Sequence, residues 1–167
     1  MKTILSITLI VAGLFMLAGC PISSDHPLGE KGAVALDTRL IGTFTNTAED
    51  VEASKVRIAK GSATNTYVVT VVNRGTMFAA DYDEFIGWLA ELEGQKFLVL
   101  FQVDSQGDPN YYVYHIEVNE KGFTSHDISL KVDGIDAITS IESYREEVKA
   151  SMGYDDFLVS PIEWTEE

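Results

Sequence analysis

From Leu40 onward the chain is a succession of short apolar–polar alternations separated by turn residues. Leu40–Phe44 (LIGTF) opens the series. In Ser54–Lys60 (SKVRIAK) Val56 and Ile58 fall on one face, the period of two expected of a half-covered strand. Asn65–Asn73 (NTYVVTVVN) is dense in the β-branched and aromatic residues that suit a pleated surface. Gly75 marks a turn, after which Thr76–Asp81 reads as a short strand. Lys96–Val103 (KFLVLFQV) is nearly continuous in apolar residues and predicts a strand covered on both faces. Asp104–Asn110 (DSQGDPN) is a turn, and Tyr111–Val118 with Phe123–Leu130 forms a hairpin joined by Asn119–Gly122. Glu84–Leu92 (EFIGWLAEL) satisfies two periods. Phe85, Trp88, Leu89 and Leu92 fit a helix, whereas Ile86, Trp88, Ala90 and Leu92 fit a strand. The adjoining Glu93-Gly94-Gln95 looks like a hairpin turn, which favours the strand.

One helix is specified near the C-terminus. Thr139-x-x-Glu142 matches a capping box, in which hydroxyl and carboxylate satisfy free amides of the first turn. Ile141, Tyr144, Val148 and Met152 then form one apolar stripe, and Gly153 supplies the stop. Phe157–Trp164 (FLVSPIEW) reads as a last strand that Pro161 confines to an edge or a bulge. About eight closely spaced strands, one helix and a short final strand make the fold class all-β with one C-terminal helix. The expected architecture is an antiparallel meander forming a closed or half-open barrel, with the helix packed outside. Closure removes exposed sheet edges.

This layout resembles lipocalin-like domains, with Gly42-Thr43-Phe44 standing where that family carries Gly-x-Trp. The resemblance covers roughly residues 38–165 and implies a shape able to hold a small apolar ligand. A second resemblance lies at the N-terminus. Lys2 is followed by an uncharged apolar stretch, Ile4 to Leu17, of about 14 residues, short for a membrane span but suited to a secretory signal. It ends in Leu17-Ala18-Gly19-Cys20, which resembles the lipobox of small bacterial lipoproteins. That implies cleavage before Cys20, a lipid on its thiol, acylation (palmitate or a similar chain) of the new amino group, and a membrane-anchored protein of the cell envelope. Two or more chains give stable anchoring, where one is marginal. Pro21 stands in place of the Asp that retains such proteins at the inner membrane, which favours the periplasmic side of the outer membrane in a Gram-negative source. The expected division is therefore a signal peptide at 1–19, a lipidated cysteine with flexible tether at 20–37, and one β-rich domain at 38–167. Residues 21–37 carry two prolines and two glycines with no apolar periodicity, as a tether would.

Composition narrows the function classes. Lys and Arg number 12 against 26 Asp and Glu, a formal charge of −14. Nucleic-acid binding needs clustered cations and is excluded, as is adhesion to anionic lipid through a basic patch. A hydrophobic content of 46% argues against intrinsic disorder. With one cysteine there is no intramolecular disulfide.

Chemistry is sparse. There is no GxGxxG after a strand, no GxxxxGK[ST], no HExxH and no GxSxG. The reading is therefore of a non-enzyme with no cofactor and no metal. His26 lies alone in the tether and is expected to be solvated. If Asn119–Gly122 is a turn with Gly122 as a bulge, Asn119 pairs with Phe123 and His115 stands opposite Asp127, with Ser125 diagonal to it. Such a group could orient an imidazole. A simple two-residue turn would instead set His115 opposite His126. Asp81-Tyr-Asp83-Glu84 and Asp104–Asp108 offer carboxylates without the spacing of a calcium loop. Among the aromatics, Trp88, Phe101, Tyr112 and Tyr114 are the candidate lining of an apolar-ligand cavity, with ordinary core packing as the alternative. The expected function is a non-catalytic binding domain for a small apolar ligand or lipid. The alternative is an acidic interaction module that attracts a cationic envelope protein or inhibits a basic wall-degrading enzyme.

Overall fold

The computed structural model describes residues 23–48, 53–73, 82–103 and 107–167. Cys20 and the expected strand Thr76–Asp81 lie outside them, as does Asp104–Gln106 of the expected turn. The strands are β1 (Ser23–Ser24), β2 (Gly42–Thr45), β3 (Ala53–Lys60), β4 (Tyr67–Asn73), β5 (Tyr82–Leu92), β6 (Gln95–Val103), β7 (Pro109–Asn119), β8 (Gly122–Ile128) and β9 (Leu158–Glu166), with helix α1 (Ile141–Ser151) between β8 and β9. From β2 to β9 every neighbour pairs antiparallel, and β9 returns to β2 through Phe44↔Glu166 and Thr45↔Thr165, closing an eight-stranded barrel. β1 stays outside the ring, pairing Ser23↔Tyr112 and Ser24↔Tyr111 on β7.

Glu84–Leu92 is a strand, the second half of its ambiguous periodicity. Glu93 and Gly94, with φ of 51° and 77°, form a two-residue turn that pairs Leu92 with Gln95. Positive φ at both positions matches the right-handed twist of the flanking strands. Inward-facing residues from the ring, among them Phe44, Ile58, Val69, Leu98 and Trp164, fill the interior. Ring contacts of Phe123 with Phe44 (5.0 Å, edge-on) and with Trp164 (6.1 Å, stacked) tie β8 to the closing seam. The opposite face of β5, β6 and β7 carries a second core, in which Trp88, Ala90, Phe97, Val99 and Val113 lie beneath Tyr144 and Val148 of α1. This double coverage explains why Lys96–Val103 has no alternation.

The segment expected as a flexible tether is instead docked on the barrel. Leu28 is fully buried in the outer core, and Trp88 Nε1–H donates to Gly29 O at 2.9 Å. Further on, Val34 and Leu36 pack on the inner core, and Leu40, in a short 3-10 turn, is buried within it. Tyr67 Oη accepts from Asp37 N–H at 2.8 Å and donates to Asp37 O at 3.1 Å. The docking uses isolated apolar anchors without a repeat, so no periodicity announces it.

Two expectations at the ends of α1 shift, and the choice left open at Pro161 is decided. The capping box of α1 is Ser140 with Ser143, one residue later than Thr139/Glu142. Ser140 Oγ accepts from Ser143 N–H at 3.1 Å, and Ser143 Oγ accepts from Ser140 N–H at 3.0 Å and Thr139 N–H at 2.9 Å. The shorter side chain at 143 reaches the amides directly, and Glu142 is left exposed. Gly153 follows the C-cap Met152 but is not in a left-handed conformation. Pro161 belongs to a bulge rather than an edge: Ser125 pairs with Ile162 and Asp127 with Val159, so Ser160 and Pro161 together face His126.

Candidate functional site

The four candidate cavity residues divide between two faces. Trp88 and Phe101 point outward, Trp88 beneath the N-terminal segment and Phe101 against Tyr111 at 5.1 Å. Tyr112 and Tyr114 pack against the inner core, Tyr112 meeting Phe85 edge-on at 5.9 Å. Burial, reinforced by the Asp127 carboxylate and then Tyr112, pushes the Tyr114 phenol well above its ordinary range. Successive residues of a strand face opposite sides, so these four line no common space.

The hairpin register overturns the Ser125–His115–Asp127 arrangement. Asn119 pairs with Gly122 and Val118 with Phe123, which sets His115 directly opposite His126 and Asp127 opposite Tyr114. Gly122, at φ 150°, stays in the ladder against Thr165, where a Cβ would collide with Trp164 O. It is therefore a paired strand residue and not a bulge. Ser125 turns inward, its Oγ accepting from Trp164 Nε1–H at 2.9 Å. Burial raises the Asp127 carboxyl against opposing contributions from a Ser160 hydrogen bond and the charge of His126. His115 is on the other side of the sheet from both.

What the register does assemble is a histidine pair with a carboxylate. His115 and Glu117, two apart on β7, share the outer face, and His126 is the cross-strand partner of His115. The Glu117 carboxylate lies 3.9 Å from His115 Nδ1 and 4.0 Å from His126 Nε2. The imidazole rings are 5.6 Å apart, and Phe97 meets His115 edge-on at 5.5 Å. His115 is only 5% exposed, and its Nδ1 has no hydrogen-bond partner. Burial lowers its pKa, partly countered by Glu117 and assisted by His126.

A cleft of about 410 Å³ opens beside this group, lined by Arg39, Lys96, His115, Glu117, Val118 and Leu158 among others. Asp37 ties down both cations, meeting Arg39 Nη2 at 2.6 Å and Lys96 Nζ at 3.0 Å. The Arg39 hydrogen bond, opposed by burial and aided by Lys96, holds the Asp37 carboxyl well below the usual carboxylate range. The acidic segments considered as calcium loops assemble less. Asp81 and Asp104 lie outside the described residues, and Asp83 and Glu84 are adjacent on β5, pairing with Val71 and Thr70. His26 N–H donates to Ser24 Oγ at 3.1 Å, within the docked segment.

The sequence signal for the histidine pair was present in the two-residue alternative for Asn119–Gly122. Among known protein families, curated proteins and solved structures, none matches this chain.

Proposed function

We propose that the chain is a lipid-anchored protein of the bacterial cell envelope, held by acyl chains on Cys20, whose barrel is a non-catalytic module binding a cationic partner on its outer surface. The observation that favours an outer-surface role over an enclosed apolar ligand is the filled barrel. Residues from the ring meet in the interior, and Leu40 packs in from the N-terminal segment. The surface that remains is rich in carboxylates, including Glu142 and Glu146 on α1, Asp155 after it and Glu163 on β9, under a formal charge of −14. Such a field accelerates encounter with a basic protein and weakens with salt. The anchoring reading rests on the apolar stretch ending in LAGC. Among the described residues no helix is long and apolar enough to cross a membrane.

Both halves are testable. Cys20→Ser is expected to move the protein from the membrane to the soluble fraction of the cell; retention in the membrane would sink the anchor. The purified protein is expected to bind or inhibit a strongly basic wall-degrading enzyme at low ionic strength and to release it at high salt. Absence of any salt-sensitive partner, together with a small molecule that co-purifies in native mass spectrometry, would overturn the interaction role in favour of a carrier.

A further inference from the structure

We propose that His115, Glu117 and His126 form a binding site for one divalent transition-metal ion of the zinc class. Three observations converge on it. The donors come from adjacent strands of one tight hairpin, and their ligating atoms all lie within 4.8 Å of one another. The His115 Nδ1 atom is buried, unpartnered and turned toward the Glu117 carboxylate. A buried polar atom without a partner is rare in folded proteins and asks for one. Finally, the Ser160–Pro161 bulge of β9 sits directly across from His126. Bulges of this kind re-aim a side chain beside functional sites.

The geometry also says how the site closes. Tetrahedral donors about 2.0–2.1 Å from a zinc ion stand ~3.3 Å apart. The present spacings exceed that by less than two ångströms, and the adjustable arms are Glu117, 62% exposed, for the carboxylate and His126 for the imidazole spacing. His115 is fixed by its burial against Phe97. Two imidazoles and one carboxylate suit zinc, copper or nickel better than calcium or magnesium, which prefer all-oxygen shells. Three protein ligands leave a coordination position open toward the cleft, for water or an exchangeable ligand. Arg39 and Lys96 on its rim would repel a cation, but Asp37 neutralises part of that charge. The inference is independent of the anchor and of the cationic partner.

The test uses the full chain, purified in detergent and stripped of metal, titrated with Zn²⁺ by calorimetry and with Co²⁺ by visible absorption. One equivalent is expected to bind saturably, with the d–d bands of a low-coordinate Co²⁺ complex. His126→Asn and Glu117→Gln should each weaken binding by about tenfold or more. Glu117 is 62% exposed, and asparagine keeps a polar side chain at His126, which is 17% exposed. His26→Ala, in the N-terminal segment, should leave affinity unchanged. No saturable equivalent at sub-millimolar metal, or binding that survives both substitutions at full strength, would overturn the proposal.

Discussion

Glu147 shows how one buried charge can organise a loop. Its carboxylate accepts from the amides of Val132, Asp133 and Gly134 at 3.0–3.3 Å and from Ser151 Oγ at 3.2 Å. Burial pushes its pKa up, but the three backbone amides and the Ser151 hydroxyl outweigh burial and hold it below the ordinary 4.5. Because the folded-state pKa is lowered, its contribution is complete above the unfolded value and disappears as pH falls through the folded one. Thermal unfolding of the wild type should therefore lose stability across that acid interval, and Glu147→Gln should lack this part of the pH dependence. At neutral pH the substitution should cost about 3 kcal/mol, since amides placed to meet a charge would meet a neutral group. Helical spacing sets Glu147 beside Tyr144, Val148 and Ser151 on the buried face and Glu146 on the exposed one. What spacing does not show is the clamp itself, because the amides that Glu147 receives come from the path of residues 132–134.

At the scale of elements, the start of α1 is decided by which hydroxyl can reach an amide. Ser140→Ala removes the cap and should cost about 1 kcal/mol in urea unfolding, while Thr139→Ala should stay within about 0.5 kcal/mol. The reverse order would restore the Thr139/Glu142 box. Among the described residues the strands of the ring were legible, because alternation and turn residues act over a few neighbours. Lys96–Val103 declared its double burial in the same way. The hairpin that carries the histidines was legible too, but its register stayed between two alternatives. Its register turns on whether Gly122 bulges or pairs, and Gly122 pairs with Asn119 on one side and with Thr165 of β9, distant in sequence, on the other. A shift of one residue moves every side chain to the other face. It therefore exchanged a Ser–His–Asp group for a His–Glu–His group.

At the scale of the whole molecule, the folded unit begins before residue 38. The N-terminal segment pairs with β7, crosses the outer face of β5 and sends Leu40 into the inner core. Leu28→Ala should therefore cost about 3 kcal/mol in urea unfolding, as for a fully buried leucine. A solvated tether residue would change stability by no more than about 0.5 kcal/mol. The barrel closes where β9 pairs with β2 at Phe44↔Glu166 and Thr45↔Thr165, with Glu167 N–H donating to Thr43 O and the aromatic contacts of Phe44, Phe123 and Trp164 beside the seam. The sequence alone determined the fold class, the strand-rich order with one late helix, and the absence of nucleotide-binding and common catalytic motifs, because each depends on local spacing. Tertiary structure alone decided that the barrel is filled, that residues 23–37 dock on it, and that His115 faces Glu117 and His126. Those outcomes depend on contacts between residues far apart in the chain, where side-chain volume and a single glycine's φ set the register.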